Sequence, residues 1–381
     1  MTVIHFERMK MTTLIITLLA CIGLAILLIN CKGQTNKNQK NMETFKWDPS
    51  ACAPTMYPIE LYEGDFYFEN GGSIYISKYS FEHGGWGEIG STDVTGNGTW
   101  PVPVRLELTW ISYTEGKFYT GNFTLPKDSM TQLFKEGLIQ YHDKRHRTYE
   151  DIIVGLAPGG VVVVWMRGRG RSVEIGRYQA SETKVPIKAF VPEAEVKTVD
   201  EWVNIVMEKE TEIKDYVKKR GFNYGLWDTY REKFNFRPLV DFDVKENQVM
   251  DDIYMEFFNG EHDAISEERL TTNRFEKRAR LKKLECQWSN QRKLWEAEIN
   301  LDEEEIYKAY RFIYQDNPDQ EGQFRIKINK DDSHIWIFLE NTDPKKHREV
   351  QLQKARIKIY PVRESHRKYF TKFKDEFKEK Q

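Results

Sequence analysis

Apolar and polar residues alternate along Val104-Arg105-Leu106-Glu107-Leu108-Thr109-Trp110, the period-two pattern of a strand with one buried face. A turn at Glu115-Gly116 and a second alternating run over residues 117–125 predict its hairpin partner. Pro126 then opens a short helix with Met130, Leu133 and Phe134 on one face, and Gly137 stops it. Residues 152–156 and 161–166 are apolar runs joined by Ala157-Pro158-Gly159-Gly160, a hairpin whose second strand is expected at the centre of a sheet.

The same succession returns further on. Leu284-Glu285-Cys286-Gln287-Trp288 matches Leu106-Glu107-Leu108-Thr109-Trp110, and residues 293–301 match the 117–125 strand. Asp302 and Glu305 form a capping box for a helix with Ile306, Ala309 and Tyr310 facing inward. Residues 324–328 and 335–339 then form a hairpin with Asp331-Asp332 at its turn. Between the two stretches, Thr198-Val199-Asp200-Glu201 caps a helix whose apolar face is Trp202, Ile205, Val206, Ile213, Tyr216 and Val217, ended by Gly221. A second helix is predicted over residues 226–236, with Trp227, Tyr230 and Phe234 as its stripe. The expected fold is α+β: two related, mainly antiparallel β modules (58–195 and 237–362), each with a short helix, joined by a helical connector (196–236). A charged amphipathic tail, 363–381, carries Tyr369, Phe370, Phe373 and Phe377 at helical spacing.

The N-terminus reads as an address. Arg8 and Lys10 precede an uncharged run from Thr13 to Ile29, which as a helix would reach about 25 Å, short of a ~30 Å hydrocarbon core. Residues 1–30 are therefore expected to be a secretory signal. Leu28-Ile29-Asn30-Cys31 resembles a bacterial lipobox, which predicts lipid attachment (a palmitate-type anchor) at Cys31. Asn30 departs from the usual small residue, and Cys21 after Leu18-Leu19-Ala20 is the alternative, together with an uncleaved signal anchor. Cys31 is preferred because a polar tether, residues 31–57, follows it. This places the protein in the bacterial envelope, on the outer or cytoplasmic membrane, facing the periplasm.

Composition narrows the classes further. The chain has 381 residues, 40% of them hydrophobic and 30% charged, enough to build cores. With 57 basic against 59 acidic residues it lacks the basic footprint of a nucleic-acid binder. Four cysteines are too few for a disulfide scaffold. Cys286 lies in a strand pattern and is expected buried, whereas Cys52 in Ala-Cys-Ala-Pro is expected exposed; a bridge between them is conceivable in an oxidising compartment.

The motifs Trp86-Gly87, Gly96-Asn97-Gly98-Thr99-Trp100-Pro101-Val102-Pro103, Leu106-Glu107-Leu108-Thr109-Trp110, Lys117-Phe118-Tyr119, Leu125-Pro126 and the Ile153–Trp165 hairpin, in this order, resemble the bacterial lipoprotein family called domain of unknown function 2931. The resemblance covers about residues 60–240. It implies a secreted, lipid-anchored, mainly antiparallel protein, and it transfers no catalytic residue.

Candidate chemistry is sparse. His142 and His146 stand at i and i+4 and could grip a metal with Glu150 or Asp151, but their charged surroundings favour a solvated loop. Arg167-Gly168-Arg169-Gly170-Arg171 could meet a phosphate, and is more simply a solvated turn; residues 274–280 suit an exposed helix or edge strand. Glycines at 71, 72, 84, 85, 87, 90, 96 and 98 mark a long loop with Tyr79, Phe81, Trp86 and Trp100, a candidate binding loop if these rings are not packed. No cofactor is expected. The expected function is non-catalytic binding of a protein or envelope ligand at the membrane. The alternatives are an immunity-type protein that masks a periplasmic toxin, and a metal-dependent hydrolase using His142 and His146.

Overall fold

The computed structural model describes residues 42–362 except 79–80, 94–97, 140–144, 244–247, 267, 291–292 and 316. The signal segment with Cys21 and Cys31, the start of the tether, Tyr79, His142 and the 363–381 tail lie outside the described residues. No described helix is long and apolar enough to cross a membrane.

The fold begins earlier than the tether reading allows. β1 (Thr44–Lys46) and β2 (Asp48–Cys52) are strands, and Trp47 between them is fully buried. Consecutive Ser50, Ala51 and Cys52 carry no charge, so the segment can be buried as an edge strand, and Cys52 is buried rather than exposed. β3 (Ile59–Tyr67) and β4 (Ser73–Tyr75) follow as a hairpin, and β5 (Thr99–Pro101) pairs with β1. β6 (Arg105–Ser112) and β7 (Lys117–Thr124) form the expected hairpin, and α1 (Lys127–Glu136) ends at Gly137 with φ +62°. After β8 (Leu138–Ile139) and β9 (His146–Arg147) come β10 (Asp151–Ala157) and β11 (Val161–Gly168), turning on Gly159 and Gly160, both at positive φ. Nearly every side chain of β10 and β11 is buried on both faces, as their unbroken apolar runs predict. β12 (Arg171–Gln179) and β13 (Ser181–Thr183) complete the first half.

The connector holds α2 (Ile187–Phe190), α3 (Val199–Met207), α4 (Thr211–Arg220) and α5 (Leu226–Tyr230). The Thr198 hydroxyl accepts a bond from the Glu201 amide at 3.1 Å, and the Glu201 carboxylate accepts from the Lys197 amide at 2.7 Å. The single helix expected to Gly221 is broken after Met207, so Trp202 and Ile213 reach the first half from two separate helices. The second predicted helix is shorter than expected. Phe234 leaves it for β14 (Phe234–Phe242), where antiparallel backbone pairing with Arg278 outweighs local helical spacing.

The second half continues with β15 (Gln248–Phe257), β16 (His262–Ser266), α6 (Glu268–Thr272), β17 (Glu276–Arg278), β18 (Leu281–Asn290) and β19 (Leu294–Asn300). α7 (Glu303–Tyr314) is capped by the Asp302 carboxylate, which accepts from the Glu305 amide at 2.9 Å. β20 (Gly322–Ile328), β21 (Ile335–Asn341), β22 (Glu349–Gln351) and β23 (Arg356–Pro361) close the chain. Of residues 274–280, only Glu276–Arg278 form an edge strand, β17, and Arg278 and Arg280 are buried, not exposed: Arg278 donates to the Phe236 carbonyl at 2.7 Å, and Arg280 donates to the Thr229 carbonyl and stacks on Tyr307.

Three large sheets result. Two have five strands, in the orders β13-β7-β6-β3-β4 and β17-β14-β20-β21-β22. The third has nine, β2-β10-β11-β12-β16-β15-β18-β19-β23. Its β23-β19-β18-β15-β16 portion runs antiparallel throughout, as β13-β7-β6-β3-β4 does. Its β2-β10-β11-β12 portion starts with one parallel pair, as β14-β20-β21-β22 does. The fold is thus predominantly antiparallel β with a few helices. In the second half, Phe236, Phe324, Ile326 and Ile337 from one sheet share a core with Met255, Leu284, Trp288 and Ile299 from the other, and with Ile306, Tyr310 and Ile313 of α7. The nine strands are continuous only because β12 meets β16 at two residue pairs, Arg171 with Asp263 and Ser172 with His262.

The Asp331-Asp332 turn is more than a solvated link. Asp332, at φ +56° and buried, accepts from Trp288 Nε1 at 2.7 Å and from the Gln248 and Asn290 side chains. Asp332→Ala should cost about 2–4 kcal/mol, because it strands buried donors and puts a Cβ-bearing residue without a local hydrogen bond at positive φ. Asp332→Asn, which tolerates that backbone and keeps one acceptor, should cost less; urea denaturation of the two variants checks the order.

Candidate functional site

The glycine-rich loop is a clasp. Trp86 is 7% exposed, edge-on to Trp165 at 5.0 Å and tilted against Trp227 at 5.0 Å, so it is part of a core and not a free anchor. Phe81 is half-buried against Tyr113 at 5.2 Å, and Trp100 is half-buried in β5 opposite Phe45. The glycines serve close backbone approach. A Cβ on Gly87, at φ +79°, would stand 2.5 Å from the Gly260 Cα, and one on Gly90 would stand 2.0 Å from the Ala51 carbonyl. Gly90 donates to Ser50 Oγ at 3.0 Å, so the loop covers the edge of β2.

His146 is exposed on β9, with Nε2 2.9 Å from the Glu136 carbonyl. Cys52 and Cys286 are both buried free thiols; burial pushes the Cys52 thiol up to about 12 and raises that of Cys286 as well.

What the loop brings to the seam is Glu88, which sequence reading passed over. Its Oε2 lies 2.7 Å from Arg167 Nη1, and its Oε1 lies 3.6 Å from Nε2 of His262, from the other half. Arg167 also donates to the Gly87 carbonyl at 2.9 Å, and His262 Nδ1 lies 2.6 Å from the Tyr254 hydroxyl. Burial pushes the Glu88 carboxyl up, but the His262 bond and the Arg167 charge outweigh it and hold the group well below the usual carboxylate range. Glu88, Glu256 and His262 offer ligand atoms within 4.8 Å of one another. Arg167 on Glu88 and Lys283, 3.6 Å from Glu256, already balance both carboxylates, so the set fits a seam better than a cation. A second such group, Glu340, His347 and Glu349, is served by Arg325.

These residues belong to a longer row. Read across the nine strands, the directly opposed positions are Asp48, Asp151, Arg167, Ser172, His262, Glu256, Lys283, Asn300 and Arg356, all polar and all on one face. On the first half, that face continues with Ser50, Ile153 and Trp165 and then Cys52, and its apolar members are covered by Trp86, Trp227 and Tyr230.

Where that cover stops, a cleft of about 870 Å³ opens. Asp48, Asp151 and Arg167 lie on its floor, Arg147, Glu150 and Arg169 border it, and Tyr254 and Glu285 come from the other half. Lys46 and the half-exposed Ile89 also line it. Arg169 is the middle arginine of the Arg-Gly-Arg-Gly-Arg turn; it is exposed and 3.4 Å from Glu150, whereas Arg167 points in. Burial pushes the Asp151 carboxyl up to about 6, with Asp48 and Glu150 raising it further and Arg167 opposing. The arrangement can neutralise charge on something that enters.

Stability should report the clasp. Gly87→Ala should cost about 2–3 kcal/mol, since the new methyl meets backbone and not a movable side chain. Glu88→Gln should cost ~1–3 kcal/mol at pH 7. A depressed carboxyl contributes fully above its unfolded value of 4.5 and progressively less as pH falls below it. The gap between wild type and Glu88→Gln should therefore narrow in urea denaturation at pH 3.5.

The family model described as a protein of unknown function, DUF2931, matches residues 34–225, which span the first half and the connector as far as α4 and Gly225. No curated protein and no solved structure matches the chain.

Proposed function

We propose that this chain, which belongs to the DUF2931 family, is a lipid-anchored envelope protein built from two related β modules, and that it holds a partner in the seam cleft without turning it over. The single observation carrying the binding reading is the cleft itself: it takes floor and wall residues from both halves. Its lining is dominated by charged side chains of both signs, which supports recognition by charge and shape.

Kinship of the halves is supported by their strand orders, each with one parallel pair at the same place. The side chains agree as well. Arg105 and Glu107 pair within β6, and Lys283 and Glu285 pair at the matching positions of β18, 2.7 Å apart. The anchor is supported by the Leu28-Ile29-Asn30-Cys31 sequence and the polar residues behind it.

Two substitutions test this. Cys31→Ser should move the protein from the membrane fraction to the soluble fraction on cell fractionation. Ile89→Trp, at an exposed position on the cleft wall, should leave the thermal midpoint near wild type and remove any partner captured from membranes by the anchored protein. A partner retained by Ile89→Trp would place binding elsewhere on the surface.

A further inference from the structure

We infer that the acidic end of the cleft seats a basic side chain, lysine or arginine, presented by a peptide segment of the partner, between Asp48 and Asp151. The inference rests on the cleft being the binding site and adds what it binds. Asp48 and Asp151 are directly opposed on the parallel pair β2–β10, so their carboxylates share a face and a floor. Both are half-buried, and among the described residues neither carboxylate accepts a hydrogen bond or joins an ion pair. Arg167, directly opposed to Asp151 on β11, offsets part of this charge but is bonded to Glu88, so two neighbouring anions on the floor still gain from a further cation.

The other charges of the cleft have their own partners. Arg167 is held by Glu88 and the Gly87 carbonyl, Arg169 lies on Glu150, and Glu285 is 2.7 Å from Lys283. Arg147 has a partner too. Lys46 is the remaining lining cation, from β1, and the experiment includes it. The Tyr254 ring and Ile89 offer surface for the aliphatic stem of a long basic side chain, whose head would take charge-assisted bonds from the two carboxylates. The high position of Asp151 agrees with this: above about 6 the free protein carries a poorly solvated charge that an entering cation relieves.

The test is calorimetric titration of the folded protein with capped tripeptides Gly-Lys-Gly and Gly-Arg-Gly, with Gly-Gln-Gly, Gly-Glu-Gly, cadaverine and calcium chloride as comparators. The basic peptides should bind at pH 7.5, and roughly tenfold more weakly at pH 5, where a carboxyl titrating near 6 is mostly protonated. Asp151→Asn and Asp48→Asn should each weaken binding by about tenfold or more. Asp151→Asn should fold at least as stably as wild type at pH 7.5. Burial raises its folded value above 3.8, so the aspartate's cost builds as pH rises from 3.8 to about 6 and is fully present above that. Lys46→Ala should bind the peptides as well as wild type or better. Equal binding of Gly-Gln-Gly, undiminished binding by Asp151→Asn, or blockade by calcium would overturn the inference, and so would cadaverine binding as tightly as the peptides. If Gly-Glu-Gly binds and Ile89→Trp abolishes it, the cleft reading stands and only the charge assignment falls. If no probe binds and the membrane partner survives Ile89→Trp, both fall.

Discussion

The join between the two halves of the chain depends on backbone meeting backbone at Gly87 and Gly260. Only two residue pairs join β12 to β16, too few to hold a nine-stranded sheet by themselves. The loop carrying Gly87 closes the gap. With no Cβ on either glycine, the loop sits low enough for Glu88 to meet Arg167 from its own half and His262 from the other. Trp165, next to the same spot, donates from Nε1 to the Asn259 carbonyl at 3.1 Å across the seam. Trp86 then packs on Trp165 and excludes water from these polar bonds, which strengthens them. Residues that look like a binding loop in sequence are thus consumed in making the two halves one compact unit from Thr44 onward.

The local elements were legible because their signals are local. The β6–β7, β10–β11 and β18–β19 hairpins follow from alternation and turn residues, and α7 from Asp302 and Glu305. Most of the misreadings involve partners distant in sequence. Residues 44–52 look polar and tether-like beside their neighbours, and become strands because β5 and β10 supply hydrogen-bond partners 50 to 100 residues away. Phe234 fits a helical stripe but is drawn into β14, where it pairs with Arg278 of β17. Arg278 and Arg280 read as surface charge, and are buried because backbone carbonyls and aromatic faces wait for them. Glu88 gave no motif at all: its meaning lies in His262, which no spacing rule connects to it.

The cleft was illegible for the same reason. Asp48, Asp151 and Tyr254 belong to three strands whose order in the sheet is not a sequence property. Alternation says which residues of one strand share a face, and only the register says which residues of different strands do. Once the registers are known, the polar row becomes visible as one feature running across the sheet.

That row also explains why a cleft should form at this place. Along the first half, the outer face of β10 and β11 is apolar and must be covered, which the connector does with Trp227 and Tyr230 from α5 and Tyr216 and Val217 from α4. Along the second half, the same face carries Glu256, Lys283, Glu285, Glu298 and Lys358, whose charges balance one another in water and need no cover. A continuous sheet that passes from one regime to the other has a boundary where the covering layer ends in a wall while the floor continues. The wall here is the clasp loop, and the floor at its foot is Asp48, Asp151 and Arg167. A concave, charged site is therefore a geometric consequence of fusing a sheet that needs a lid to one that does not, and it is available for recognition wherever the floor keeps charges that its own neighbours leave unpaired.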